Sequence, residues 1–239
     1  MIQSHPSFRW PQDQEQKIWR YLSLAKFIAL LQNNVFWLTR ADRLGDPFEG
    51  SITRPMHEDL LRAPTEVASS WRQTNTSMRL THYVSCWHAN ASESDAMWRI
   101  YTNSADSVCI QSRFSLLRDA LPEFMYAGLV NYIDFETARF DPGNIFNHII
   151  HKRISFEHER ELRFTAWSSI APELGGTRIQ ECLSGDGVAI PLSAHIYVER
   201  LVLHPEAPNW FLEVVKSLLT TYGLNVPIER SSMIREAFF

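Results

Sequence analysis

Apolar and polar residues follow two different periods along this chain, and each period predicts its own kind of element. Apolar residues recur at helical spacing in 24–32, where Ser23 is placed to cap the helix, and in 210–222, which ends at Gly223. Further helices are predicted at 56–79, 115–121 and 144–154. Another helix is predicted to begin after a cap at Ser92 or Ser94 and to end at residue 101. Short apolar or alternating stretches predict strands at 17–22, 35–39, 81–88, 107–111, 127–133, 187–191, 198–203 and 226–230. Strands interleaved with helices in this way are typical of an α+β fold, with a mainly antiparallel mixed sheet and flanking helices.

We predict a single domain over residues 1–239, because the sequence contains no internal repeat, low-complexity segment or linker. Residues 1–16 are polar with two prolines and are expected to form an arm on the surface. Residues 17–167 contain all the candidate motifs described below. Residues 168–239 are expected to add the C-terminal strands and a helix.

The segment 156–167 is predicted as a strand that carries charge on one side. A period of two places Glu159, Glu161 and Arg163 on one face, while the flanking residues are apolar and aromatic. A solvated sheet edge with ion pairs along the row would also explain these charges. We favour a polar face that lines a cleft, because the apolar flanks indicate a strand inside a sheet. Neighbouring carboxylates in one row repel each other, so Glu161→Gln is expected to leave the stability unchanged or slightly raised.

Composition and charge reduce the number of functional classes that suit this chain. The chain of 239 residues has a net charge of −4, which gives no global electrostatic reason to bind nucleic acid or an anionic membrane. Its three cysteines are far apart and include no Cys-x-x-Cys pair, which is typical of free thiols in a reducing compartment. No apolar stretch reaches the length of about 18 residues that a membrane span needs. We therefore expect a cytoplasmic protein with no membrane partner.

Other polar residues suit a site and also have simpler explanations. The loop 45–50 contains Asp46 and Glu49, and loop carboxylates serve turns as well as binding sites. A Met, a Trp and Tyr101 recur at helical spacing, which is typical of a core, with Tyr101 best placed to present its hydroxyl. The histidines form no recognised metal-ligand spacing, so no metal site is assigned.

Together, the motifs of residues 17–167 resemble a large uncharacterised prokaryotic family, known as a domain of unknown function. The motifs are a strand–Ser–helix–Asn-Asn–strand opening, Gly-Asp-Pro-Phe-Glu-Gly at 45–50, Ser-Cys-Trp at 85–87 with Met-Trp-x-x-Tyr at 97–101, and Lys-x-x-x-Phe-x-x-Glu-x-Glu-x-Arg at 152–163. This chain departs from the family in having Gly45 in place of Asn, Trp87 in place of Phe and Phe156 in place of Trp.

More distantly, the chain is similar to enzymes with the ADP-ribosyltransferase-like fold. Their first strand carries a basic residue followed by Tyr and Ser or Thr, a middle strand carries a hydroxyl residue, and a late strand carries a catalytic Glu within Glu-x-Glu. The corresponding residues here are Arg20, Tyr21 and Ser23, then Ser85, then Glu159 and Glu161. The resemblance implies a split sheet and NAD as the substrate. It also implies that Arg20 holds a phosphate of NAD, that Ser85 shapes the nicotinamide pocket and that Glu161 contacts the ribose.

Three functions remain open from the sequence. The first is an NAD- or nucleotide-using ADP-ribosyltransferase-like enzyme of a toxin or defence type, with a small nucleotide and a macromolecular acceptor as partners. Its expected catalytic residues are Glu161 and Glu159, and its expected binding residues are Arg20, Tyr21, Ser85, Tyr101, Arg163, Asp46 and Glu49. The second is a metal-dependent phosphodiesterase or nuclease, with Mg²⁺ on Asp46, Glu49, Glu159 and Glu161 and with Lys152 or Arg163 neutralising the transition state. The third is a non-catalytic module that binds a nucleotide or a protein.

Overall fold

The structure, a computed structural model, describes residues 1–168 and 179–234. The strands in these ranges are β1 Lys17–Ser23, β2 Val35–Arg40, β3 His82–Ala89, β4 Ser107–Arg113, β5 Met125–Leu129, β6 Asn131–Ile133, β7 His151–Arg153, β8 Glu161–Trp167, β9 Leu183–Ser184, β10 Gly187–Pro191, β11 Arg200–Leu203 and β12 Ile228–Arg230. The helices described there include α1 Leu24–Asn33, α2 Arg54–Arg62, α3 Thr65–Thr81, α4 Asp95–Tyr101, α5 Phe114–Ala120, α6 Asn147–Ile150, α7 Ala194–Tyr197 and α8 Asn209–Tyr222. Short 3₁₀ turns cover Ala41–Arg43, Ile154–Glu159 and Ser232–Ile234.

The strands form one mixed sheet of ten and one small sheet of two. In the large sheet the order is β12-β11-β4-β1-β3-β2-β10-β9, with β8 paired to β3 and β5 paired to β8. The β11–β12 pair is parallel, and the other pairs of this sheet are antiparallel. The small sheet joins β6 and β7 in parallel. The predicted α+β fold with a mainly antiparallel sheet is therefore confirmed.

The large sheet has a gap beside the middle of β3. Along one edge, β3 pairs with β8 from His82 to His88. Along the other edge it pairs with β1 only around His88 and Ala89, and with β2 only at Tyr83 and Val84. Because β1 and β2 diverge between these two contacts, the middle of β3 borders a gap in the sheet.

Alternation along the strands gives the sheet two different faces. The face that we call the core face carries Ile18 of β1 and Leu162 of β8, and helices α1, α5 and α8 bury apolar residues against it. The opposite face, which we call the α4 face, carries Trp19 and Tyr21 of β1, packed against Met97 of α4.

Local signals at the helix ends are confirmed. Ser23 caps α1, since its hydroxyl accepts a hydrogen bond from the Lys26 amide at 3.4 Å. The Ser94 hydroxyl caps α4 through the Met97 amide at 3.4 Å. Gly223 ends α8 with a φ of 68°, in the left-handed region that glycine adopts without strain.

Several predicted segments differ in the structure. The predicted helix 56–79 is divided into α2 and α3, because α2 ends before Pro64. The arm 1–16 is not confined to the surface, because Ile2 and Phe8 are buried and the Phe8 backbone packs against Gly128. The predicted helix 144–154 shortens to α6, since the backbone of the following residues pairs with β6. The predicted strand 127–133 divides at Val130, whose amide turns to the Glu161 carbonyl.

The C-terminal third also differs in part. The predicted strand 198–203 begins only at Arg200, after the short helix α7. Of the predicted segment 168–239, residues 169–178 and 235–239 lie outside the described residues.

Gly187 of β10 packs closely against Trp37 of β2, so a substitution of Gly187 tests this packing. A Cβ atom at Gly187 would clash with Trp37 Cζ2 and with the Leu38 carbonyl oxygen. We therefore expect Gly187→Ala to lower the free energy of unfolding by about 1–3 kcal/mol in urea denaturation. The control is Gly45→Ala, because no atom lies within 4 Å of a Cβ at that position. Equal denaturation midpoints for the two variants would contradict this packing.

Candidate functional site

A pocket of about 840 Å³ opens where β1 and β2 diverge. Its walls come from β1, α1, β2, the loop 44–49, the middle of β3, α4 and the segment 152–163. Among the residues predicted for the site, those that line it are Arg20, Tyr21, Asp46, Glu49, Tyr101, Glu159, Glu161 and Arg163. Residues far apart in the sequence thus meet in one cavity.

Glu159 does not lie on the strand that the sequence predicts. Residues Ile154–Glu159 form a 3₁₀ turn, Arg160 adopts a left-handed φ of 41°, and β8 begins at Glu161. The prediction was wrong here because the Arg160 amide turns back to the Glu157 carbonyl, which interrupts the extended backbone. Glu159 and Glu161 still meet, but a turn and not a common strand face brings them together.

Lys152 occupies the space between the carboxylates of the site. Its Nζ lies 2.5 Å from Glu159 Oε2, 3.3 Å from Glu161 Oε2 and 3.3 Å from Glu49 Oε1. Lys152 and the three carboxylates are all buried. The repulsion that the sequence suggests between Glu159 and Glu161 is thus compensated by a shared cation, and the expected neutral effect of Glu161→Gln no longer follows.

Arg163 uses its whole guanidinium to hold the other members of this cluster. Its Nη1 and Nη2 donate to the two oxygens of Glu49 at 2.9 and 2.7 Å, and Nε and Nη2 donate to Glu161 at 2.8 and 3.0 Å. Nη1 also donates to the Ile149 carbonyl at 2.6 Å. Since a guanidinium has five N–H donors, none is left for a ligand. Arg163 orders the carboxylates and does not present a free cation to the pocket.

These cations determine the ionisation of Glu161. Burial alone would favour the neutral acid, but the charges of Arg163 and Lys152 outweigh it and lower the pKa of Glu161 from 4.5 to about 2. Burial and the negative charges of Glu161 and Glu159 raise the pKa of Tyr101, which lines the same pocket. The pocket therefore has a wall with a fixed negative charge and a neutral phenol beside it.

Asp46 has a structural partner of its own. Its carboxylate accepts hydrogen bonds from Arg153 at 2.8 and 3.3 Å and from the Phe48 amide at 3.0 Å. The Arg153 guanidinium also stacks over the Phe48 ring at 4.3 Å. These contacts shape the loop that delivers Glu49. Within residues 1–168 and 179–234, no three His, Cys, Asp or Glu side chains are arranged to hold a metal ion.

Arg20 reaches the pocket from the other face of the sheet. Alternation places it on the core face, where its guanidinium lies 5.8 Å from the Phe36 ring and 5.7 Å from the Trp87 ring. It crosses the gap to donate to the Trp37 carbonyl at 3.3 Å, whereas Nη1 is buried with no partner in the described part of the chain. Burial lowers the pKa of Arg20.

Two predicted residues have other roles. Ser85 is buried on the core face of β3, and its hydroxyl accepts a hydrogen bond from Trp87 Nε1 at 3.1 Å. The Tyr21 hydroxyl accepts a hydrogen bond from the Ser94 amide at 2.8 Å and so fixes the start of α4. The structure does not bring either hydroxyl to the carboxylates, because Ser85 faces the core and Tyr21 is engaged by α4.

His88 belongs to the site although the sequence does not single it out. It lines the pocket on β3, paired in register with Glu161. Its Nδ1 lies 2.6 Å from the Glu159 carbonyl oxygen, so Nδ1 carries the proton and donates it. Burial lowers the pKa of His88, which keeps the ring neutral. His88 thus fixes the backbone of Glu159, and no ligand spacing in the sequence could have indicated this contact.

Comparisons with protein-family models, with curated proteins and with solved structures gave no match. Across the helices of the described residues, none combines the length and apolar character needed to cross a membrane. The residues of the pocket themselves are therefore the basis for a function.

Proposed function

We propose that the pocket binds NAD and that the protein is an ADP-ribosyltransferase-like enzyme, which breaks the bond between nicotinamide and ribose. One observation carries this proposal, namely that the pocket has opposite charge on two walls. Arg20 and the exposed Lys26 line one side and have no carboxylate partner in the described ranges. The other side, which we call the acidic wall, has one more carboxylate than it has cations, namely Glu49, Glu159 and Glu161 against Lys152 and Arg163. NAD has the matching arrangement, with an anionic pyrophosphate and a cationic nicotinamide.

The size and lining of the pocket suit a dinucleotide. Its volume of about 840 Å³ falls within the range of roughly 300–1,000 Å³ that is common for small-molecule sites. Among the aromatic residues on its walls, Trp37 and Tyr101 offer surfaces on which a flat base can stack. A guanidinium such as that of Arg20 matches the geometry of phosphate oxygens.

The acidic wall suits the chemistry of glycosidic cleavage. When the bond between nicotinamide and ribose lengthens, positive charge develops on the sugar. A carboxylate fixed beside the sugar stabilises that charge, and it needs no reorganisation at the moment of reaction. Lys152 and Arg163 hold the carboxylates in place before substrate binds.

The proposal predicts a slow release of nicotinamide from NAD, with water as the acceptor. We expect the purified protein to release nicotinamide in the presence of EDTA, measured by chromatography, because no step of this chemistry needs a divalent cation. Heat-denatured protein is the control. Release that requires added Mg²⁺ would instead favour the phosphodiesterase class, in which a metal would have to displace the salt bridges of Glu49, Glu159 and Glu161.

A non-catalytic nucleotide-binding module is the second candidate. It is favoured by the saturation of Arg163 and the shared contacts of Lys152, since a network with so few free donors also serves to hold a structure together. Binding of NAD without any release of nicotinamide would support this candidate over the enzyme.

A further inference from the structure

We infer that Glu159 is the carboxylate that contacts the substrate, and that Glu161 is a positioning residue. This assignment rests on the proposed function and specifies it further, because the two carboxylates differ in what they have left to offer a ligand. The difference lies in their contacts and not in their place in the Glu-x-Glu motif.

Glu161 has both oxygens engaged by cations. Oε1 accepts from Arg163 Nε at 2.8 Å. Oε2 accepts from Arg163 Nη2 at 3.0 Å and from Lys152 at 3.3 Å. Its backbone amide donates to the Tyr132 hydroxyl at 2.8 Å. The Glu159 and Glu161 side chains are equally buried, so the difference between them lies in their contacts. Glu161 is thus held on all sides, and its charge is already balanced before a sugar cation forms.

Glu159 also lines the pocket, and one of its two oxygens is engaged by a cation of the described residues. Oε2 accepts from Lys152 at 2.5 Å, while Oε1 receives no Arg or Lys donor within the described ranges. Tyr101 lines the same pocket as this carboxylate. Tyr101 is 45% exposed, so this end of the pocket is open to a substrate.

The position of Glu159 is fixed from two directions. His88 Nδ1 donates to its carbonyl oxygen at 2.6 Å, and Lys152 holds its side chain. Glu161 acts on Glu159 through Lys152, whose Nζ contacts both carboxylates. A preorganised carboxylate with one free oxygen is what stabilisation of a developing cation requires.

The step is a substitution at the anomeric carbon. The bond between C1′ and the nicotinamide nitrogen breaks, and its electron pair stays on the nitrogen, so nicotinamide leaves as a neutral molecule. A water oxygen forms the new bond to C1′, and its proton passes to solvent. Glu159 remains ionised throughout and stabilises the positive charge on the sugar between the two events.

Matched Gln variants test this assignment. We expect Glu159→Gln to reduce nicotinamide release by about 100-fold to 1,000-fold, the loss seen when one electrostatic stabiliser is removed. Its affinity for NAD is expected to change by less than about threefold, because the carboxylate acts mainly in the transition state. Glu161→Gln is expected to lower the melting temperature more than Glu159→Gln does, and to reduce release per folded molecule by less than about tenfold.

Chemical rescue separates a catalytic role from a structural one. Glu159→Ala leaves a space beside Tyr101 that formate can enter, so we expect formate to restore part of its release. Glu161→Ala is the matched control and is expected to regain no release, since formate there would only restore a salt bridge. If Glu159→Ala does not fold, Glu159→Asp replaces it, with a lower release rate and an unchanged NAD affinity expected.

Two different failures can be told apart. No nicotinamide release by the wild-type protein would overturn the proposed function and this assignment with it. Wild-type release that survives Glu159→Gln but is lost in folded Glu161→Gln would overturn the assignment alone. Rescue of Glu161→Ala by formate, without rescue of Glu159→Ala, would do the same.

Discussion

Replacing Arg163 with Met is expected to lower the free energy of unfolding by about 3–5 kcal/mol. Arg163 is 1% exposed and pairs with Glu49 and Glu161, which are buried as well. The substitution keeps a side chain of similar length but, among the described residues, leaves Lys152 as the one cation in contact with both carboxylates. The loss is large because an ionised carboxylate without a partner is costly to bury. Urea denaturation of the wild-type and variant proteins measures it.

An exposed arginine provides the control for this variant. Arg99 pairs with Asp95 on α4, and the two side chains are 78% and 60% exposed. We expect Arg99→Met to change the free energy of unfolding by less than about 0.5 kcal/mol, because solvent screens such pairs. A loss below about 1 kcal/mol for Arg163→Met would contradict the buried cluster, since it would mean that water or protons already compensate the carboxylates.

Acid is expected to weaken the fold through Glu161. Its pKa is about 2 in the folded protein and 4.5 as its ordinary value, so the folded state favours the ionised form. Well above pH 4.5 Glu161 is ionised in both states, and its full contribution to the stability is present. As the pH falls from 4.5 to about 2, the unfolded state takes up its proton first, and this contribution is lost. Denaturation midpoints across this range measure the loss.

Glu161→Gln isolates this effect from that of the other acidic groups. The variant cannot ionise at residue 161, so it is expected to be less stable than the wild type above pH 4.5. The difference should narrow as the pH falls towards 2, where Glu161 becomes neutral as well. Stability curves that stay parallel over the whole range would show that Glu161 titrates with an ordinary pKa.

Elements with local signals could be predicted from the sequence. The β1–α1–β2 opening follows from the apolar period and from Ser23, and α8 follows from its apolar stripe and Gly223. These features depend on neighbouring residues, which the sequence displays directly. The candidate pocket residues were also found largely by this route, because charges within apolar segments are visible without a structure.

The pairing within the site could not be predicted, because it depends on contacts between distant residues. Glu49 and Arg163 are separated by 114 residues, and no local pattern joins them. The turn that carries Glu159 depends on a left-handed Arg160, a conformation that the residue type does not indicate. For the same reason, the sequence assigned Arg163 to a ligand although its donors are used within the protein.

The measurement that tests the central claim most directly is a calorimetric titration of NAD into the wild-type protein and Arg20→Ala. The proposal predicts saturable binding to the wild type with a Kd below about 1 mM. It also predicts at least tenfold weaker binding to Arg20→Ala, because Arg20 is a half-buried cation of the pocket whose Nη1 has no partner among the described residues. Arg200→Ala is the control, since Arg200 pairs with Glu229 on the surface and should leave the affinity unchanged. No heat of binding to the wild type at about 1 mM NAD, or equal affinities for the wild type and folded Arg20→Ala, would contradict the NAD site.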